Sequence, residues 1–194
     1  MPHSKWFAVV GTAAVVTMVM APAEQAAAAP SNAAAPNGVS AATTLYYDDS
    51  RAGGWEAAIT AGVAAWNANV TNVKLVKAPP GTRAQIRITA TNGWPQASLG
   101  PVRPGGQAWV ELGSQAVDQG YDKTRIAAHE IGHNLGLPDT KPGPCSKLMS
   151  GSSAGVGCRN PVADAAERSR VESAYGGRTA AQTPTTGRVM VDAP

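Results

Sequence analysis

Two histidines and a glutamate lie close together in the stretch AHEIGHNLGLPDT, residues 128 to 140. On a helix, residues four apart lie on the same face, so His129 and His133 can both direct an imidazole nitrogen at one zinc ion. Glu130 can then take a proton from a water molecule without occupying a coordination position. The chain has three histidines, and two of them are in this motif. The pattern therefore predicts a catalytic zinc site rather than a chance cluster of exposed polar residues.

The full pattern is HExxHxxGxxD, and the identity of the third metal ligand is undecided. Gly136 can end the helix in a left-handed conformation, and the chain can then turn back and bring Asp139 toward the same metal. A carboxylate is an accepted third ligand in catalytic zinc sites. Asp139 also follows Pro138 in a segment rich in glycine and proline, where an aspartate commonly accepts hydrogen bonds from backbone amides of a turn. The spacing favours the ligand, and the turn is the alternative.

The segments around this motif must supply the elements that position it. Large apolar residues recur every three or four positions from Trp55 to Trp66, which predicts an amphipathic helix. Alternation of apolar and polar residues, as at Ile86 and Ile88, predicts strands. The predicted strands are residues 43 to 47, 73 to 77, 84 to 90 and 107 to 112, with the last as a candidate edge strand. The predicted helices are residues 55 to 69, a segment from Asp122 or Thr124 through His133, and residues 162 to 175.

The order of these elements indicates the fold class. Only the first strand, the first helix and the next strand can form a β-α-β unit, and the remaining strands and helices are grouped along the chain. We therefore expect an α+β domain with a small mixed sheet packed by helices. An edge strand at residues 107 to 112 could also pair with the extended backbone of a bound peptide.

The two ends of the chain lack the patterns of a folded domain. Residues 1 to 29 have a charged start, a short apolar run and an alanine-rich end, which are typical of a secretory signal peptide; a single anchoring helix is the alternative. Residues 30 to 42 carry no charge and predict a linker or short pro-segment. Residues 43 to 176 form the predicted domain, and residues 177 to 194 predict a disordered tail. Both interpretations of the first segment place the domain outside the cell.

Charge and cysteine content narrow the possible functions. The net charge is +3, and basic and acidic residues are scattered, whereas a nucleic-acid-binding protein would show clustered Lys and Arg. The chain has two cysteines, Cys145 and Cys158. An isolated pair in a secreted protein predicts a disulfide, and closing a loop of this size contributes about 3 kcal/mol. Zinc binding is the weaker alternative, because structural zinc sites normally contain close pairs such as CxxC.

Several motifs together resemble the snapalysin family, small secreted bacterial neutral metalloproteases of the metzincin group in which an aspartate replaces the usual third histidine. The motifs are HEIGHNLGLPD, GPCSKLMSG, the second cysteine and AERSRV, and the similarity covers nearly the whole predicted domain. The resemblance implies a metzincin-like zinc protease domain with a small twisted mixed sheet, an N-terminal helix, an active-site helix and a C-terminal helix. It implies zinc bound by His129, His133 and Asp139, with Glu130 as the catalytic base.

The resemblance also implies roles for residues outside the motif. Met149 would be the Met-turn residue below the zinc site, although from the sequence alone it is a core residue. Cys145 and Cys158 would form the family's disulfide. Asp122 and Thr124 match positions described as a calcium site, but two oxygen ligands are too few to establish one, and capping of the zinc helix is an equal alternative.

The function implied by the resemblance is that of a secreted, monomeric zinc endopeptidase that acts on extracellular proteins. It would have no nucleic-acid partner and no stable membrane association after removal of the signal peptide. Two other functions stay open: a secreted binding or inhibitory protein, against which the intact Glu130 argues, and a zinc hydrolase of non-peptide substrates. One departure concerns Thr140 and Lys141, which replace an aromatic region expected in relatives. Cleavage specificity is therefore left open.

Overall fold

The computed structural model describes residues 41 to 176 and 187 to 193, which contain one six-stranded mixed sheet. The strands are β1 (Thr43–Arg51), β2 (Val73–Lys77), β3 (Ile86–Thr91), β4 (Gln96–Ser98), β5 (Ala108–Gly113) and β6 (Val189–Val191). The helices are α1 (Glu56–Asn69), α2 (Ser114–Asp118), α3 (Lys123–Asn134) and α4 (Ala165–Tyr175), with a 3-10 segment at Leu148–Ala154. The predicted α+β class is confirmed.

The sheet order is β2-β1-β3-β5-β4-β6. Strands β2, β1, β3 and β5 are parallel to one another, whereas β4 is antiparallel to β5 and β6 is antiparallel to β4. The predicted β-α-β unit is present, because α1 connects the parallel strands β1 and β2. A parallel pair requires such a crossover connection, which explains why a helix separates these two strands in the sequence.

Helices α1 and α3 pack against each other at the start of the HExxH motif. The indole Nε1 of Trp66 donates a hydrogen bond to the carbonyl of Ala128 over 2.8 Å. A Cβ added to Gly62 would lie 3.0 Å from the backbone nitrogen of Ala128, so the two helix backbones approach closely only because Gly62 has no side chain. The residue that precedes His129 is therefore fixed in position by α1.

The prediction that residues 107 to 112 form an edge strand is wrong. Strand β5 pairs with β3 on one side and with β4 on the other, so both of its edges are hydrogen-bonded. Apolar alternation reports which faces of a strand are buried, but it does not report whether the edges are paired. Strand β4, which supplies the second partner, has three residues and is too short to give a periodic signal.

The structure also differs from the predicted disordered tail over residues 187 to 193. Val189–Val191 forms β6, and Asp192 is 5% exposed. Valines 189 and 191 are largely exposed, so the segment lacks the buried face from which a strand is recognised in a sequence. Residues 177 to 186, the predicted signal peptide and residues 30 to 40 of the predicted linker lie outside the described residues. In the described ranges, no helix is long and apolar enough to cross a membrane.

Candidate metal centre

Helix α3 presents both motif histidines toward one point. Their rings are nearly perpendicular, with centroids 4.6 Å apart. Nδ1 of His129 lies 3.0 Å from the carbonyl oxygen of Leu148, and Nδ1 of His133 lies 2.7 Å from that of Leu137. Because a carbonyl only accepts, each Nδ1 carries the proton in the neutral ring, and the lone pair is on Nε2. The backbone thus selects the tautomer that a metal ligand requires.

Asp139 reaches the same point because the chain turns back after α3. Gly136 has a φ of 102°, a left-handed conformation that suits glycine, and its N–H donates to the carbonyl of His133. Asp139 Oδ1 then lies 3.3 Å from His129 Nε2 and 3.6 Å from His133 Nε2. Ligand atoms around a tetrahedral zinc ion are about 3.4 Å apart, given zinc–ligand bonds of about 2.1 Å. The separations of Asp139 Oδ1 from the two histidine nitrogens therefore fit zinc.

Several polar atoms at this centre are buried and have no partner among the residues that the structure describes. Within the described part of the chain, no hydrogen bond is made by Nε2 of either histidine, by either carboxylate oxygen of Glu130 or by Asp139 Oδ1. A buried polar atom without a partner costs about 1 to 3 kcal/mol. A cation bound between the histidines and Asp139 would satisfy three of these atoms. Glu130 would remain free for another role.

The charges at this centre shift the pKa values of its residues in opposite directions. Burial alone would lower the pKa of His129, but the carboxylates of Asp192, Asp139 and Glu130 raise it to about 9. Burial and the charge of His129 lower the pKa of His133. Burial raises the pKa of Glu130 well above its usual range. The buried Glu130 carboxyl therefore accepts a proton more readily than an exposed glutamate does.

The loop that contains Leu148 and Met149 packs against α3 beside the two histidines. Met149 is fully buried, and a Cβ added to Gly132 would lie 2.8 Å from Met149 Sδ, so the methionine packs against the helix between the two histidines. The N–H groups of Leu148 and Met149 donate to the carboxylate of Glu167 over 3.0 and 2.8 Å. This arrangement fixes the Leu148 carbonyl that accepts from His129.

Arg125 and the two cysteines also hold this loop in place. The buried guanidinium of Arg125 donates to the carbonyls of Lys147 and Leu148. The predicted disulfide between Cys145 and Cys158 is present, with Cα atoms 5.6 Å apart. The loop is therefore held both by hydrogen bonds from α3 and by a covalent bond.

Calcium binding and helix capping were the two roles considered for Asp122, and in the structure Asp122 caps helix α3. Asp122 Oδ1 accepts a hydrogen bond from the backbone N–H of Arg125 over 2.8 Å, at the N-terminus of α3. Its other oxygen, Oδ2, lies 3.9 Å from Nε of Arg159, a permanent cation. Thr124 follows within the first turn of the helix.

The structure adds one acidic residue that the sequence interpretation missed. Oδ1 of Asp192 lies 4.0 Å from His129 Nε2, and it can join His129 and Asp139 in a group of potential metal ligands. Lys141 Nζ lies 2.6 Å from the same oxygen. No spacing rule connects Asp192 to the motif, because it is brought there by the pairing of β6 with β4.

The fold and the site define the class of the protein: an α+β domain with a candidate metal centre of the HExxH type. Residues 42–176 match the Streptomyces extracellular neutral proteinase (M7) family, and the chain belongs to this family. The membership confirms the resemblance found in the motifs.

Two relatives and one solved structure illustrate the extent of the similarity. The extracellular small neutral protease of Streptomyces coelicolor is 40% identical over 134 residues, which are 69% of this chain and 60% of the relative. That of Streptomyces caespitosus is 39% identical over 132 residues, which are 68% of this chain and 96% of the relative. The chain thus spans about three fifths of the first relative's length. The hatching enzyme zinc-protease HCE-1 from Oryzias latipes matches with a TM-score of 0.48 and 18% identity, covering 71% of this chain and 92% of that chain.

Proposed function

We propose that this protein is a secreted zinc-dependent endopeptidase in which Glu130 is the general base. The observation that carries the proposal is the convergence of His129, His133 and Asp139 beside a buried Glu130 carboxylate that has no hydrogen-bond partner among the described residues. Both described relatives are named extracellular small neutral proteases, which supports peptide hydrolysis outside the cell. The substrates would be proteins or peptides, and the enzyme would act as a monomer without nucleic-acid or membrane partners.

His129, His133 and Asp139 would hold the zinc ion. When bound, zinc supplies Lewis-acid chemistry, which polarises a carbonyl oxygen and acidifies water. The carboxylate of Asp139 cancels one positive charge, so this acidification is weaker than it would be with three neutral histidines. More of the proton transfer then depends on Glu130.

Glu130 would carry the proton from the attacking water to the leaving amine. Burial raises the pKa of its carboxyl, so the protonated form is accessible once the carboxylate has accepted a proton from water. The same carboxyl returns that proton to the amine nitrogen as the peptide bond breaks. One group thus acts first as base and then as acid, and the proton count balances over the reaction.

Calcium is not part of this proposal. The site considered for it consists of Asp122 and Thr124, and the oxygens of Asp122 already face a backbone N–H and the side chain of Arg159. Calcium binds six to eight oxygen ligands, and Asp122 and Thr124 together supply far fewer.

The decisive experiment compares Glu130→Gln with the wild type. We expect the variant to keep one zinc ion per chain and to hydrolyse denatured casein at least about 100-fold more slowly, since the amide cannot accept the proton. Glu56→Gln on the exposed side of α1 is the matched control and should keep full activity. Full activity of Glu130→Gln would refute the mechanism.

The wild type in the same assay separates the other functions. Zinc content without any chelator-sensitive proteolysis would indicate a binding protein or a hydrolase of non-peptide substrates instead. Release of casein peptides that stops on chelation and resumes on addition of zinc is the result expected for the endopeptidase.

A further inference from the structure

Strand β6 covers a sheet edge next to the metal centre. Among the described strands, β4 has β5 on one side and β6 on the other. The pairing is antiparallel and aligns Ala97 with Met190. Backbone hydrogen bonds extend it at both ends, from Leu99 N to the carbonyl of Arg188 and from Asp192 N to the carbonyl of Pro95, over 2.8 and 2.9 Å. A segment of the chain itself therefore occupies an edge that could accept an extended peptide.

The position of β4 connects this edge to the metal centre. Asn134, the last residue of α3, donates through Nδ2 to the carbonyl of Ser98 over 2.7 Å. Gly100 N donates to the carbonyl of His133 over 2.8 Å. Strand β4 is thus tied directly to the helix that carries the histidines, and a peptide paired with it would pass the metal site.

Asp192 follows β6 directly and enters the metal centre. Its Oδ1 lies 4.0 Å from His129 Nε2, and its potential ligand atom lies within 4.8 Å of those of His129 and Asp139. The distance to His129 Nε2 exceeds the separation of about 3.4 Å between ligand atoms on a tetrahedral zinc ion, so Asp192 Oδ1 would have to move slightly toward His129 for both atoms to bind one ion. The side chain is buried, as a ligand facing a metal would be.

Residues 192 and 193 also form hydrogen bonds with Lys141 and Ser152, which belong to the chain segment that follows α3. Oδ1 of Asp192 accepts from Ser152 N over 2.9 Å and from Lys141 Nζ over 2.6 Å. The carbonyl of Ala193 accepts from Lys141 Nζ and from Ser152 Oγ, each over 3.0 Å. Residues 188 to 193 thus span the space between β4 and the chain segment that follows α3, where a substrate would have to bind.

Residues 188 to 193 are bound to the rest of the domain mainly by polar interactions rather than by hydrophobic packing. Val189 and Val191 are 47% and 46% exposed, so the strand buries little apolar surface. Three paired residues and a few hydrogen bonds contribute modestly to binding, because each replaces a hydrogen bond to water. A segment held in this way can be displaced by a competing peptide or removed by proteolysis.

We propose that residues 188 to 193 are an internal inhibitor, in which β6 occupies the substrate edge of β4 and Asp192 supplies an additional ligand to the metal. The inhibitor role rests on the proposed peptide hydrolysis, whereas the contact of Asp192 with the metal rests only on the proposed metal site. Lys141, which replaces part of the aromatic region expected in relatives, forms the ion pair that holds the Asp192 side chain.

The first test is Asp192→Asn in the full-length chain, which keeps the size of the side chain and weakens its binding to metal. The control is Asp118→Asn, the same change at an exposed position. Binding of acetohydroxamate to the Co²⁺-substituted proteins is followed by visible absorption, together with casein hydrolysis by the zinc proteins. We expect at least tenfold tighter acetohydroxamate binding and at least tenfold faster hydrolysis for Asp192→Asn, and wild-type values for the control.

The second test displaces β6 while Asp192 remains in the chain. Residues two apart on a strand direct their N–H groups to the same side, so Met190 N–H faces β4 as Asp192 N–H does. Met190→Pro removes that donor, whereas Val189→Pro removes an N–H that faces away from β4 and is the matched control. We expect Met190→Pro alone to reproduce the gains of Asp192→Asn, with thermal unfolding of all variants as the check on folding.

The outcomes separate this inference from the proposed function. Tighter acetohydroxamate binding in both variants without any casein hydrolysis would refute the endopeptidase and support the metal contact of the segment. Hydrolysis by the wild type that neither variant accelerates, with unchanged acetohydroxamate affinity, would overturn the inhibitor and leave the endopeptidase intact. In that case Asp192 would be only a structural partner of Lys141.

Discussion

Asp139 is the residue that distinguishes the proposed metal centre from one with three histidines. Its Oδ1 has no hydrogen-bond partner among the described residues, whereas the turn interpretation requires the carboxylate to accept from nearby backbone amides. Proximity to His129 also outweighs burial and lowers the pKa of Asp139, so it is a carboxylate at neutral pH. An anionic oxygen facing two imidazole nitrogens is the arrangement that a cation requires.

Asp139→Asn should therefore weaken zinc binding. An amide oxygen carries no net charge and is a poorer zinc ligand, so we expect an affinity at least about tenfold lower. Competition with a chromophoric chelator measures the zinc affinity, and Asp118→Asn should match the wild type. Unchanged affinity in Asp139→Asn would restore the interpretation of Asp139 as a turn residue.

The sequence predicts those site residues that lie close together along the chain. His129, Glu130, His133 and Asp139 fall within one helix and the turn that follows it, so helical geometry and one glycine are enough to bring them together. Asp192 is 53 residues beyond Asp139 and reaches the metal centre only through pairing of β6 with β4. Such a contact depends on long-range strand pairing, which no local pattern reports.

Among the elements, α4 carries a carboxylate whose interaction with the connection between α1 and β2 can be tested by changing the pH. The carboxylate of Glu172 accepts from the backbone N–H groups of Thr71 and Asn72, in the connection between α1 and β2. Burial alone would raise the pKa of Glu172, but these hydrogen bonds lower it from 4.5. The carboxylate is therefore favoured in the folded state, and its contribution to stability is present above the unfolded-state pKa and lost as pH falls through the folded-state pKa.

Glu172→Gln should lower the free energy of unfolding by about 1 kcal/mol at pH 7, because an amide is a weaker acceptor for both N–H groups. The difference from wild type should shrink as pH falls below about 4.5 and through the lower folded-state pKa, because the wild-type carboxylate then becomes protonated. Urea unfolding at several pH values measures this, with the exposed Glu56→Gln as control. A difference independent of pH would show that the charge of Glu172 is not what stabilises the connection.

The elements predicted best are those with a clear period and a sufficient length. Helix α1 follows from its apolar spacing, and β2 has the bounds that were predicted for it. Strands β4 and β6 were missed because each has three residues and exists through its partner rather than through its own composition. Their absence from the prediction also explains the wrong assignment of β5 as an edge, since β4 is the strand that covers it.

At the scale of the whole domain, distant parts of the chain converge on the loop that carries Met149. Arg125 reaches it from α3, and Glu167 reaches it from α4. Glu167 also accepts from the N–H of Asp164 and so completes the capping box of α4. The start of α4 is thereby coupled to the loop that carries Met149. These contacts account for the burial of Glu167, which is charged but only 4% exposed.

The disulfide between Cys145 and Cys158 crosses the ends of this loop, and its contribution should be to stability rather than to the shape of the site. A bond that closes a loop of this size destabilises the unfolded chain by about 3 kcal/mol, whereas Arg125 and Glu167 hold the loop in the folded state without it. The double variant Cys145→Ser/Cys158→Ser should therefore unfold about 10 °C lower and keep wild-type zinc content and casein hydrolysis at 20 °C. Calorimetry and the casein assay test this, with wild type under reducing conditions as a second comparison. A variant that is folded at 20 °C but binds no zinc would show that the disulfide itself positions the Leu148 carbonyl behind His129.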